Sequence, residues 1–417
     1  MAIKILELEM TEPILPIKTQ EQYSTYRILV RFQTIPLGWV YVSNSDGNAM
    51  LTSDQLYKAI QFQLSNDAIN LTLGRSLQLV PPGKEVYEPI SIVVCTRDRK
   101  ASLEKCIESL RRIEYPSFEI IIVDNAPSTD ETFNFAASMP VRYTREPKPG
   151  LDRARNKGIE SARFELIAFT DDDVQVDRHW LHKINNAFQD AETMCVTGYV
   201  APAALDTIAQ VQFELGYGGM GHGFKRKVAR RSAISEERLI WASSYGVGAN
   251  MAFRKKVFDS IGLFDVALDV GTASHGGGDI EMFQRVIHRG HVLIYDPSVL
   301  VWHTHRSSRK ALRKQLTDNG RSFGCYLITG VKNNVLSPSG VIKFLFSKWL
   351  KDWILKNLIR RKPSLPRYVP LLELYGMILS PIAYMAAQRE AKQINKATKS
   401  YPEKTTENFA IESAKIS

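Results

Sequence analysis

The chain has 417 residues, 44% hydrophobic and 24% charged, an ordinary composition for a soluble globular protein and a length that implies two or three units. Its four cysteines (Cys95, Cys106, Cys195, Cys325) are far apart with no CxxC pair, which argues against a zinc site and a disulfide scaffold and fits a reducing compartment. The net charge of +10 is local: Arg306 to Lys362 carries 14 Lys or Arg against Asp318 and Asp352, an excess of 12. Such a segment faces nucleic acid, an anionic membrane or an anionic ligand.

The first residues, MAIKILELEM, include acids and no signal-peptide core, so no export is expected. Tyr26–Phe32 and Gly38–Asn44 read as strands and Asp54–Leu64 as a helix, together a small α+β unit over residues 1–85. Its role is not legible. Val80–Lys84 (VPPGK) reads as a linker.

From Pro89 the texture changes. Ile90–Thr96 (ISIVVCT) and Glu119–Asn125 (EIIIVDN) are short apolar runs of the kind buried on both faces of a sheet. Ser102–Ile113, Thr129–Met139 and Gly150–Arg163 read as helices, Val141–Glu146 and Glu165–Thr170 as strands. This alternation predicts a doubly wound, mostly parallel α/β sheet, whose ligands sit at the carboxyl ends of the strands. Thr96-Arg97-Asp98-Arg99, Asp124-Asn125 and Asp171-Asp172-Asp173 all fall at that edge. The triple aspartate alone could be a solvated, helix-capping turn. Convergence from three strands favours carboxylates neutralised by a hard cation such as Mg²⁺ or Mn²⁺.

IVVCTRDR, IIIVDNAPSTD, GLDRARNKG and FTDDD, in this order, resemble the nucleotide-sugar half of a family 2 glycosyltransferase with the GT-A fold. Gly246–Asp265 is similar to that family's acceptor-side segment, Gly276–His291 to its catalytic-base segment, and Tyr295–Arg306 to the strand and histidine that close its metal site. The resemblance covers residues 88–306. It implies a Rossmann-like, mostly parallel sheet flanked by helices and an inverting transfer. The donor would be a nucleotide-diphosphate sugar and the acceptor a glycan or lipid-linked molecule, in cell-surface polysaccharide or glycolipid synthesis.

Residue by residue, the resemblance implies donor binding by Thr96, Arg97, Asp98, Asp124, Arg155, Asp171 and Asp172. It implies metal binding by Asp173 and His303, and a general base in Asp279 with Glu281 beside it. Two departures stand out. The family's usual Glu-Asp pair is here Gly278-Asp279, and the QxxRW motif of processive synthases is missing, which favours adding one or a few sugars. His305, two residues beyond His303, falls on the same face of a strand.

Residues 307–390 read as a helical, membrane-associated region. Ser339–Lys362 has an apolar stripe through 342, 345, 346, 349, 350, 353, 354 and 358, with Trp349 and Trp353 as anchors for an anionic bilayer. Its alternative is a helix packed on the catalytic unit. Tyr368–Ala387 is long enough to span a membrane, but Glu373 and Pro381 favour an embedded or packed hairpin. Residues 391–417 read as a disordered tail. The expected location is the cytoplasmic face of the cell membrane.

Two rivals remain. A nucleotidyltransferase would carry a glycine-rich basic loop after its first strand, and CTRDRKAS has no glycine. A basic scaffold or nucleic-acid-binding protein would need a binding motif, and the chain has none, so no nucleic-acid partner is expected.

Overall fold

The computed structural model describes residues 2–64, 86–359 and 365–399, with side chains through Asn395. The expected linker at Val80–Lys84 and residues 400–417 lie outside this set.

The N-terminal unit is a three-stranded sheet of β1 (Lys4–Glu9), β2 (Thr25–Phe32) and β3 (Ile35–Ser43), with β2 central, parallel to β1 and antiparallel to β3. Helix α1 (Ser53–Gln63) covers one face and starts in a capping box between Thr52 and Gln55. Strand β2 is buried on both sides. Tyr26, Ile28 and Val30 join Leu56 and Ile60 of α1 in the unit's own core. The alternate residues Arg27, Leu29 and Arg31 face the catalytic unit, where Leu29 packs on Tyr199, Tyr295 and Leu300.

The catalytic unit begins with β4 (Ile90–Thr96), α2 (Lys100–Leu110), β5 (Phe118–Asn125), α3 (Glu131–Ala137), β6 (Arg142–Glu146), α4 (Leu151–Ser161) and β7 (Leu166–Asp171). It continues with β8 (Val174–Val176), α5 (Trp180–Ala187), β9 (Thr193–Pro202), β10 (Asn250–Arg254), α6 (Gly278–His288) and β11 (Val292–His303). The sheet runs β8-β11-β9-β10-β7-β4-β5-β6, with the short strand Lys227–Ala229 paired to β11. Strands β7, β4, β5 and β6 are mutually parallel, while β10 is antiparallel to both neighbours. This is the expected GT-A-like α/β arrangement.

The continuous apolar runs are explained by cores on both faces. Ile90, Ile92 and Val94 of β4 enter one, and Val93 and Cys95 the other. All four cysteines are buried free thiols, and Trp180 is fully buried in the core.

The C-terminal region departs from expectation. Tyr368–Ala387 does not fold as a hairpin: α8 (Tyr368–Lys399) is one helix that runs through Pro381 and on into the stretch expected to be disordered. Proline at 381 deprives the Met377 carbonyl of its helical N–H, and the Ser380 hydroxyl donates to that oxygen at 2.7 Å instead. Glu373 is buried and accepts the Trp353 indole N–H at 2.6 Å. Helix α8 lies tightly on α7 (Arg309–Lys332): a Cβ at Gly320 would stand 2.0 Å from the Glu373 carbonyl oxygen, and one at Gly376 2.0 Å from that of Thr317.

The basic segment is helical, but Leu345–Leu355 is π-helical. Six of the eight stripe residues, 345, 349, 350, 353, 354 and 358, pack on the core of the α/β unit, the alternative to a bilayer. Trp349 is buried and Trp353 half-buried against Glu373, so neither is an outward anchor. The exposed apolar residues are instead Ile342, Phe346, Leu355 and Ile359, together with Leu371, Tyr375, Ile378, Ile382 and Met385 at helical spacing along α8.

Candidate active site

The carboxyl edge of the parallel strands gathers the acidic cluster. Strand β7 ends at Asp171, and β8, starting at Val174, pairs with the end of β11 so that Val174 lies opposite His303. This register brings Asp171, Asp173 and His303 together, with one ligand atom of each within 4.8 Å of the others. His303 Nε2 stands 3.3 Å from Asp173 Oδ1. Burial alone would raise the Asp173 pKa, but His303 and the Arg99 guanidinium hold it well below the usual carboxylate range. Asp171 is shifted the other way, raised by burial and by the neighbouring Asp173 in spite of Arg155. Two carboxylate oxygens and an imidazole nitrogen form a donor set suited to Mg²⁺ or Mn²⁺.

Asp172 has a different environment. It is buried and accepts from the Thr96 hydroxyl at 2.7 Å and from Arg99 Nη1 at 2.6 Å, and burial lifts its pKa to about 6. Thr96 thus ties β4 to the acidic loop. Arg99 also reaches Asp173 at 2.7 Å, so one guanidinium bridges adjacent carboxylates.

Asp124, at the end of β5, is buried and accepts from the Tyr143 hydroxyl at 2.9 Å, while its Oδ1 has no hydrogen-bond partner among the described residues. A buried, unpaired acceptor at a strand end is a place for a ligand's donor group. Arg97 is exposed. Asp98 is exposed too and accepts from the Ser128 N–H at 2.8 Å, which joins the loops after β4 and β5.

Helix α4 carries Arg155 inward. Asp269 accepts the N–H groups of Leu151 and Asp152 at 2.6 and 2.9 Å, fixing the start of α4 to the segment that leads to α6. Arg155 is buried, bonds Asp152 Oδ1 at 2.9 Å and lies 3.9 Å from Asp171. A Cβ added at Gly248 would be 2.4 Å from Arg155 Nη2 and 3.0 Å from Asp279 Oδ2, so both groups crowd one glycine. Asp279 sits in the first turn of α6, where the helix dipole favours a carboxylate, and accepts the Gly248 N–H at 2.7 Å. Gly277 caps the helix with a left-handed φ of 104°.

Glu281 is not brought to this cluster. It is buried against Arg285, whose Nη2 lies 2.6 Å from its carboxylate. The carboxylate lacking at position 278 stands on another element: a Cβ at Gly278 would fall 1.8 Å from Asp152 Oδ2. Sequence reading gave no role to Arg99, Asp152 or Asp269. Arg99 was legible as a charge beside the strand end, and Asp152 as an acid within GLDRARN. Asp269 has no local signal.

A mostly parallel sheet of this order, with acids at its carboxyl edge, is a GT-A-like α/β fold. Residues 91–262 match the sequence profile of glycosyl transferase family 2. It is 24% identical over 229 residues to the pre-mycofactocin glycosyltransferase of Mycobacterium tuberculosis, covering 54% of this chain and 45% of that one. It is also 24% identical over 238 residues to the glycosyltransferase AglE of Haloferax volcanii, covering 54% and 70%. The chain thus spans less than half the length of the first relative. Among solved structures it aligns with the mannosyltransferase PcManGT from Pyrobaculum calidifontis, in complex with GDP-Man and Mn²⁺, at a TM-score of 0.42 and 14% identity over 80% and 84% of the two chains.

Proposed function

We propose that the chain transfers a sugar from a nucleotide-diphosphate donor to a hydroxyl of a glycan or lipid-linked acceptor, with inversion at the anomeric carbon. The observation that carries this reading is the single carboxylate of Asp279. It is aimed by the Gly248 N–H and connected through Arg155 to the acidic edge. One base on the face opposite the leaving group gives direct displacement, whereas paired flanking carboxylates belong to glycoside hydrolysis.

The hard donor set fits a divalent cation, which Asp171, Asp173 and His303 would hold. Bound there, Mg²⁺ or Mn²⁺ would offset the charge of the leaving diphosphate. Asp124 would accept from the donor's base or ribose with its free Oδ1. Arg155, with burial opposed by Asp152 and Asp171, stays charged beside the reacting centre. Asp279 would take the acceptor hydroxyl's proton as that oxygen attacks the anomeric carbon and the bond to diphosphate breaks. The exposed apolar stripe of α8 would seat the enzyme on the cytoplasmic membrane face, near a lipid-linked acceptor. Because α7 packs along the other side of α8 with exposed Arg309, Lys310 and Lys314, the helix lies in the interface and does not cross.

The test is thermal stabilisation of detergent-purified protein by UDP, GDP, CDP and dTDP, each with and without Mn²⁺ or Mg²⁺. One nucleotide should bind, and only with the cation. Asp279→Asn should keep that binding and lose transfer. Near-normal turnover in Asp279→Asn would remove the base assignment.

A further inference from the structure

The N-terminal unit touches the acidic edge through an unbroken line of polar contacts. Arg27 of β2 bonds Glu214 Oε1 at 2.8 Å. Glu214 Oε2 lies 3.1 Å from His305 Nε2, and His305 Nδ1 lies 3.0 Å from His303 Nδ1. His303 Nε2 then faces Asp173. Arg27, Glu214, His305 and His303 are buried and Asp173 is half-buried, and Phe213 holds the His305 ring edge-on at 4.9 Å. Two residues along the same face of β2, beyond Leu29, Arg31 bonds Asp177 at 2.7 Å, directly after β8, the strand paired with the His303 end of β11.

We infer that Arg27 and Glu214 are positioning residues for the cation site, and that holding His303 is a task of the N-terminal unit. This rests on reading Asp171, Asp173 and His303 as that site. The proton order makes the argument. A carboxylate only accepts, so His305 carries its proton on Nε2, toward Glu214. Two Nδ1 atoms can face each other only when one is protonated and the other is not. With a cation in the site and one proton on each ring, His303 donates from Nδ1 to the bare Nδ1 of His305. His303 Nε2 is left with its lone pair beside Asp173, where a cation would take it. A carboxylate behind a ligating histidine sets the ring's tautomer and angle, and here it acts through a second imidazole. The sequence separation is large: Arg27 and Glu214 lie 187 residues apart.

The test is the Mn²⁺ dissociation constant of the full chain, read from the electron-paramagnetic signal of free Mn²⁺ during titration, for the wild type, Glu214→Gln and Tyr23→Phe. Tyr23 bonds Asp206 at 2.6 Å across the same two units, and its contacts run on through Gln210 to the backbone carbonyl of His305, not to either imidazole ring. Glu214→Gln should weaken Mn²⁺ by about 10- to 100-fold, and Tyr23→Phe should leave it unchanged. Equal affinity in Glu214→Gln and wild type overturns the inference. So does equal weakening in Tyr23→Phe, which would mark a merely structural effect. If Glu214→Gln does not fold, Arg27→Met serves in its place, and unchanged affinity there is equally fatal. A wild type that binds no Mn²⁺ removes the cation site itself, a failure distinct from the others.

Discussion

The backbone N–H of Gly248 donates to Asp279 Oδ2 at 2.7 Å, and no side chain fits between Arg155 and that carboxylate. One glycine therefore sets the aim of Asp279, the proposed base. Gly248→Ala would push the Arg155 guanidinium or Asp279 aside by several tenths of an ångström or more. Misplacement on the ångström scale costs roughly 100-fold in rate. The expected outcome is a drop in kcat of about that size with a melting temperature close to wild type. Normal kcat in a folded Gly248→Ala protein would show that the contact does not aim the base.

Arg99 bridges Asp172 and Asp173 at 2.6 and 2.7 Å, so it neutralises charge that a divalent cation would also neutralise. Arg99→Ala should lower the melting temperature of the cation-free protein. It should also enlarge the rise in melting temperature that saturating Mn²⁺ produces, because the cation then meets less compensated carboxylates. Melts of wild type and variant with and without Mn²⁺ measure this directly. A smaller Mn²⁺ response in the variant would mean that Arg99 helps to build the site.

Burial raises Glu373 to about 7 from the usual 4.5, with Trp353 and Tyr217 opposing as hydrogen-bond donors. Between those values the folded chain keeps a proton that the unfolded chain has released. Stability is therefore greatest below pH 4.5 as far as this group is concerned, and falls as pH rises toward 7. The full difference is on the order of 3 kcal/mol. Glu373→Gln removes the titration. Its melting temperature should exceed the wild type's at pH 8, with the gap closing near pH 5.

Leu371, Tyr375, Ile378, Ile382 and Met385 form an exposed apolar line along α8. Burying such a line in a bilayer surface contributes about 25 cal/mol per Å². The double variant Ile378→Asp, Ile382→Asp should lose co-flotation with vesicles rich in anionic lipid while keeping nucleotide binding. Undiminished flotation would assign this face to another partner.

The α/β alternation, the buried strands and the acidic strand ends were legible in the sequence, because each is local. A run such as ISIVVCT is buried on both faces wherever it pairs, and the residue after it emerges at the sheet edge. Asp173 is an acid at such a strand end, while His303 and Asp279 are candidates through the family resemblance alone. The apolar stripe of Ser339–Lys362 is local and legible, but what covers it is not: six of its eight residues pack on the core of the α/β unit, the alternative to a bilayer. The course of α8 was misread because the Ser380 hydroxyl that satisfies the carbonyl freed by Pro381 has no weight in a hydropathy pattern.

What the sequence by itself determined is the set of elements and the chemistry at their ends. Only the tertiary structure decided which charges meet. Arg27 reads as a polar residue in an N-terminal strand, Glu214 as one acid among many, and Gly278 as a loop glycine. The first two become an ion pair behind the proposed cation site, and the third makes room for the Asp152 carboxylate. The physical reason is that an ion pair depends on separation in space, and the chain brings residues 187 positions apart to 2.8 Å only when two units dock.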